Sequence, residues 1–195
     1  MSDLNDPFNK EMMAELKDTD AAISAIGGFG SNEHMMLING DANINAMKAV
    51  VSASNASCKS FVYVSTVKNN LPSFFLRGYF EGKKKAEDYC LKNFEIPLVI
   101  KPSFIYGTRV VTAGGININI PLWALGVPLK FILQIPPFDR LKNLPGCAAL
   151  FVVPVSVEDV ALLAAAHARG KRALKSQYES VVDAENIEFE SKRVL

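Results

Sequence analysis

Apolar residues along this chain alternate between short β-branched runs and longer stretches of helical spacing. Residues 20–28 (DAAISAIGG) read as a short buried strand ending in glycines. Residues 39–55 place Ala42, Ala46, Ala49, Val50 and Ala53 on one face of an amphipathic helix. SFVYVST at 60–66 is β-branched and aromatic and predicts a strand. A second helix spans 79–94, with Glu81–Lys85 and Lys84–Asp88 as opposite-charge pairs one turn apart. PLVIKP at 97–102 is a further buried strand between prolines.

Residues 107–148 are rich in Gly, Pro and Asn and read as irregular, a substrate-side excursion from the same domain. A strand is expected over 149–155, a helix over 157–170 ending at Gly170, and a last strand within 177–183. Strands alternating with helices predict an α/β fold with a doubly wound, mainly parallel sheet. No repeat or linker divides the sequence, so residues 1–195 read as a single domain.

Composition narrows the function classes. The 195 residues are 49% hydrophobic, enough for a sizeable core. A net charge of +1 gives no electrostatic case for nucleic acid or an anionic membrane. The 3 cysteines, Cys58, Cys90 and Cys147, are too few and too scattered for a disulfide framework, which points to a reducing compartment. No apolar run is long enough for a transmembrane helix, and the first residues carry neither a signal core nor an Arg-rich transit pattern. His34 and His167 lack Cys or carboxylate partners at metal spacing, so no metal site is expected.

Three segments carry the chemistry: FVYVST at 61–66, then Tyr79-x-x-x-Lys83, then KPSFIYG at 101–107. A phenol is a poor proton carrier at neutral pH, and an ammonium one helical turn away would lower its pKa towards useful acid/base range. A hydroxyl at the strand end, Ser65 or Thr66, would bond a substrate carbonyl or alcohol. Gly82, between Tyr79 and Lys83, costs about 1 kcal/mol in a helix interior relative to alanine. Close approach of this helix to another backbone or to a dinucleotide would explain it. An ordinary amphipathic surface gives the alternative, in which Tyr79 packs beside Ala86 and Cys90 while Lys83 extends outward.

Together with SVEDVA at 156–161, the order of these segments resembles the short-chain dehydrogenase/reductase superfamily, in its atypical and extended, epimerase-like branch. The resemblance runs from Ser2 to about Ile187. It implies a Rossmann-type NAD(P)-binding domain with Tyr79, Lys83, Ser65 and Thr66 as catalytic residues. It also implies NAD or NADP contacts from Asp3, Leu4, Gly27, Gly28, Lys83 and Pro102. Gly27, Gly28 and Gly30 have the wrong spacing for the phosphate fingerprint G-x-G-x-x-G. They match the loop after the family's fourth strand, or else a turn needing positive φ. Asp3 and Leu4 match the end of the third strand, beside the adenine, although Asp3 also suits a turn before a helix starting near Pro7.

By this match the family's first two strands, with the phosphate loop and helix between them, are missing from the chain. The strand at 20–28 should then be a sheet edge, open to self-association. Within the superfamily, GGFGSNEHMMLINGDANINAM and GYFEGKKKAE look similar to a mitochondrial and plastid subgroup. That subgroup is similar to the nucleotide-binding accessory subunit of respiratory complex I and to the fungal auxiliary protein of coenzyme Q biosynthesis. The resemblance implies an NAD(P)-binding accessory protein of mitochondrial coenzyme Q or respiratory-complex metabolism, part of a protein complex, with weak or no turnover. The alternative is an active NAD(P)-dependent oxidoreductase acting on a carbonyl or quinone-like substrate. The implied location is mitochondrial, with plastid second.

Overall fold

The computed structural model of the protein describes residues 10–54, 58–67, 76–113, 116–134, 153–170 and 180–194. Its centre is a four-stranded parallel sheet in the order β1-β2-β3-β8. The strands are β1 (Ala21–Ser24), β2 (Ser60–Val64), β3 (Ile96–Lys101) and β8 (Val181–Asp183). Helices cover both faces, so the expected α/β, doubly wound architecture is present.

Period-two alternation assigns the two faces. Phe61, Tyr63 and Val99 point into one core with Ile44, Met47, Val50, Ala86 and Cys90. These last five lie on α3 (Ala42–Ala53) and α4 (Arg77–Asn93). Val62, Leu98 and Ile100 point into the opposite core. There they meet Leu163 and Ala164 of α6 (Val157–Ala168) and Ile187 of α7 (Ala184–Arg193). Burial on both faces explains why β2 and β3 are near-continuous apolar runs. β1 pairs with β2 alone among the described strands, so it is the edge that the sequence led us to expect. Its Ile23 is 49% exposed.

Three expectations need correction. Residues 107–148 are not irregular as a whole: β5 (Thr108–Ala113) and β6 (Ile116–Pro121) form an antiparallel hairpin, followed by α5 (Trp123–Gln134). Residues 135–148 lie outside the described residues. The strand expected over 149–155 is described only as β7 (Val155–Ser156), which pairs with β4 (Ile105–Tyr106) in a separate small sheet. The main sheet is closed by β8 instead. The helix expected from residue 39 begins earlier, as α2 (Asn32–Met36), with the Ser31 hydroxyl accepting from the His34 amide at its N-cap. A π turn at Leu37–Asp41 joins α2 to α3. α1 (Lys10–Glu15) completes the described helices.

The π turn lets two helices touch backbone to backbone. A Cβ built on Gly82 of α4 would stand 3.0 Å from the Gly40 amide nitrogen and 3.2 Å from the Met35 carbonyl oxygen. One built on Gly78 would stand 2.0 Å from the Asn32 carbonyl oxygen. A neighbouring backbone, rather than a ligand, therefore accounts for the glycine between Tyr79 and Lys83. Alanine would gain helix propensity at either position, but the neighbouring backbone cannot yield cheaply. We expect Gly78→Ala to destabilise the protein by about 1–3 kcal/mol and Gly82→Ala by less. Chemical denaturation of the two variants checks the order.

Candidate functional site

The carboxyl ends of parallel strands are where open α/β sheets hold ligands. Here the end of β1 leads into the glycine loop at 25–31, β2 leads to Ser65 and Thr66, and β3 leads to Pro102. The ladder continues past the strands: the Ser65 amide donates to the Ile100 carbonyl at 2.8 Å, and the Val67 amide to the Pro102 carbonyl at 3.0 Å. Pro102 is buried at this junction. α4 brings Tyr79 and Lys83 to the same end. Asp3 and Leu4 lie outside the described residues.

Lys83 does not extend outward. Its side chain is buried and its ammonium donates to the Ile26 carbonyl at 3.1 Å and the Val64 carbonyl at 3.0 Å. The nitrogen also sits 5.0 Å from the centroid of the Tyr63 ring, a cation–π contact. A Cβ on Gly27 would come within 3.3 Å of that nitrogen, so the glycine loop lies directly against it. Burial lowers the Lys83 pKa to about 8, with the nearby Glu87 carboxylate opposing the shift.

Tyr79 is held between rings. Phe29 stacks on it with centroids 5.2 Å apart and planes 12° from parallel, and Phe80 meets it edge-on at 5.3 Å. Burial raises the phenol above its ordinary pKa, opposed by a hydrogen bond with the Thr66 side chain. The sequence reading expected Lys83 to lower it. Burial raises it instead, and the ammonium is directed at two backbone carbonyls.

The two strand-end hydroxyls diverge. Thr66 is felt by the Tyr79 phenol, whereas Ser65 is buried and donates to Glu87 Oε1 at 2.5 Å. The other Glu87 oxygen accepts from Lys101 Nζ at 2.9 Å. Glu87 is itself buried, one turn beyond Lys83. A cavity of about 660 Å³ opens beside this group, lined by Thr66, Val67, Phe80, Lys83, Glu87 and Lys101. The flanking charges pair locally: Lys84 with Asp88 as expected, but Lys85 with Asp41 and Glu81 with Arg77.

The glycine loop is fixed by two buried amides. Asn39 donates to the carbonyls of Gly28 at 2.8 Å and Met35 at 2.9 Å, and accepts from the Gly28 amide at 3.2 Å. Asn43 donates to the Ile26, Ile38 and Asn39 carbonyls and accepts from the Ser24 hydroxyl at 2.7 Å. Sequence reasoning missed Phe29, Asn39, Asn43 and Glu87. Each left a signal: an aromatic residue among glycines, two amides one turn apart, and a carboxylate on the stripe that carries Tyr79 and Lys83.

Among the described residues, no three His, Cys, Asp or Glu side chains are placed to hold a metal ion. His167 lies far from this site, with its Nε2 3.3 Å from the Ile96 carbonyl oxygen. No described helix is long and apolar enough to cross a membrane.

Comparison with known proteins fixes the architecture. The structure superposes on a crystal structure of UDP-glucuronic acid 4-epimerase from Bacillus cereus in complex with NAD. The TM-score is 0.52 at 18% identity, over 91% of this chain and 57% of that one. The fold is Rossmann-like. In sequence, the chain is 40% identical over 146 residues to an uncharacterized chloroplastic protein of Arabidopsis thaliana, covering 73% of this chain and 47% of that protein. It is 30% identical over 125 residues to the mitochondrial protein FMP52-1 of Scheffersomyces stipitis, covering 60% and 54%. The chain thus spans about half the length of the curated relatives it matches. No protein-family model matches it. Both relatives are organellar by name, and they name different organelles.

The Lys83 environment gives a pH signature. The folded chain releases the Lys83 proton near pH 8, whereas an unfolded lysine holds its proton to about 10.4. Between these values the unfolded state binds more protons, so the Lys83 contribution makes stability rise with pH. From pH 8 to 10, below the range of the raised tyrosines, stability of the wild type relative to Lys83→Met should increase by roughly 2–3 kcal/mol. Urea melts of both proteins across that range check the slope, and a flat difference would contradict the buried placement.

Proposed function

We propose that the chain is an NAD(P)-binding-type accessory protein of organellar coenzyme Q or respiratory-complex metabolism with weak or no turnover of its own. The observation that carries this reading is how the inherited catalytic groups are engaged. Lys83 is tied to the Ile26 and Val64 carbonyls, Ser65 is tied to Glu87, and burial holds the Tyr79 phenol in its protonated form. A proton-transfer pair needs a phenol tuned towards neutral pH, and this one is tuned away from it.

On this reading NAD or NADP would meet Gly27, Gly28 and Pro102 at the strand ends, with Lys83 behind the ribose. Asp3 and Leu4 would stand beside the adenine, as the sequence resemblance implies. When bound, the dinucleotide would supply hydride chemistry. The chain's residues would do the rest: the glycine loop allows close backbone approach, and Tyr79 with Thr66 holds a proton facing the ligand. The NAD named with the epimerase structure and the organellar names of the relatives support this reading. The mitochondrial placement follows FMP52-1, and the Arabidopsis relative supports plastid as the second choice.

A second reading, an active NAD(P)-dependent oxidoreductase acting on a carbonyl or quinone-like substrate, is favoured by one contact. Thr66 lies beside Tyr79 and acts against the rise that burial imposes on the phenol, as a carbonyl-binding pair would require. Calorimetric titration of the 195-residue chain with NADH and NADPH separates the two readings. Binding weaker than about 100 μM is expected. Micromolar binding lost in Lys83→Ala would establish an intact pocket and favour the enzyme.

The edge of β1, which among the described strands pairs with β2 alone, is the candidate contact for self-association or for a partner in a complex. Beside it a hollow of about 240 Å³ is lined by Leu16, Ala22, Ile23, Ala46, Val50 and Phe61. An edge strand with unpaired backbone groups and an exposed apolar side chain templates further pairing. A concentration-dependent mass in light scattering is expected for the wild type and should disappear in Ile23→Lys. A monomer at all concentrations would remove the edge from consideration.

A further inference from the structure

The cavity of about 660 Å³ runs along one flank of α4. Phe80, Lys84, Glu87 and Asp88 line it at three- and four-residue spacing, a single stripe of the helix. That stripe faces away from Gly78 and Gly82, which meet α2 and the π turn. Neither Tyr79 nor any residue of the glycine loop is among the described lining residues. A volume of this size suits a small organic molecule.

The charges around it balance at the rim but not inside. Lys84 pairs with Asp88, Lys85 with Asp41 and Glu81 with Arg77. Deeper in, two ammonium groups share one carboxylate. Lys83 and Glu87 are buried, and the Lys101 side chain is only 23% exposed. Lys83 keeps its proton at neutral pH, with a pKa of about 8. Both Glu87 oxygens are taken, one by Ser65 and one by Lys101. The Lys101 ammonium has three N–H donors, and the described residues account for one of them. The inner wall therefore carries one surplus positive charge and unspent donors, beside the apolar Val67 and Phe80. A desolvated surplus charge is costly until a counter-charge answers it.

We propose that this cavity binds an amphiphilic monocarboxylate, with its head on the Lys101 ammonium and its apolar chain against Val67 and Phe80. One negative charge balances the wall, whereas a doubly charged phosphate monoester would overshoot it. The site needs neither a dinucleotide nor proton transfer by Tyr79. It therefore goes beyond the accessory reading, and the outcome of the NADH titration does not decide it.

Decanoate and decanol share one chain and differ in the charge of the head. In equilibrium dialysis against the full chain at neutral pH, without nucleotide, decanoate should bind about tenfold more tightly. That ratio corresponds to about 1.4 kcal/mol. The preference should fall to parity in Lys101→Met and persist in Lys101→Arg, which keeps the charge. Lys101→Met also leaves Glu87 without its ion pair, so a second readout uses the wild type. In chain labelled with 13C-methyl valine, nuclear Overhauser contacts should link the decanoate chain to Val67, assigned by their loss in Val67→Ile. Equal affinity for the two compounds, binding of neither, a preference unchanged in Lys101→Met, or contacts only to other valines would each overturn the proposal.

Discussion

One ammonium holds the ligand-facing end of this sheet together. Lys83 reaches from α4 into the sheet and donates to the backbone beyond β1 and at the end of β2. The β1–β2 register ends at Ser24 and Tyr63, and Lys83 supplies a donor to the two carbonyls just beyond it, sharing the Ile26 carbonyl with Asn43. Burying a charge is costly, and the two carbonyls, the Tyr63 face and the nearby Glu87 carboxylate together make it tolerable. The consequence is positional. The helix cannot slide along the sheet without breaking these bonds, and Tyr79, one turn earlier, inherits that fixed position.

The second constraint is polar and meets the same glycine loop beside Lys83. Asn39 and Asn43 are fully buried and have their amide groups satisfied by backbone or by Ser24. Tyr63 adds its hydroxyl to the Asn39 carbonyl at 3.2 Å. A fully satisfied buried network defines geometry more sharply than apolar packing does, because each lost bond strands a desolvated group. The glycine loop thus has a rigid backbone although its sequence suggests freedom.

Where the chain is buried on both faces, its structure was legible in the sequence. Phe61, Val62, Tyr63, Leu98, Val99 and Ile100 are apolar without interruption, and nothing but an interior strand fits them. The hairpin of β5 and β6 was missed because its Gly and Asn content resembles a loop, although two β-branched runs flank Gly114 and Gly115 in the sequence. The run at 149–155 was assigned to the main sheet because an apolar run does not disclose which sheet it joins, whereas the closing strand β8 lies within the 177–183 read as a last strand. At the site, the i,i+4 spacing placed Tyr79 and Lys83 on α4 but could not say where the ammonium points. That depends on carbonyls 57 and 19 residues away in sequence. The same limit hid the separate partners of Ser65 and Thr66, two neighbours on one strand end that face opposite ways by the pleat.

The π turn at Leu37–Asp41 also fixes the angular phase of the first long helical run. An α-helix turns by about 100° per residue, and a π turn accommodates one residue beyond that count. Helix α2 and helix α3 are therefore out of step with a single continuous α-helix by about one residue. That offset lets Met35 and Gly40 face α4 while Ile44, Met47 and Val50 still face the sheet. Removing one residue here would leave every individual side chain compatible with a helix. It would nevertheless turn the whole of α2, with its Ser31 cap and the glycine loop attached to it, to a different bearing around the helix axis.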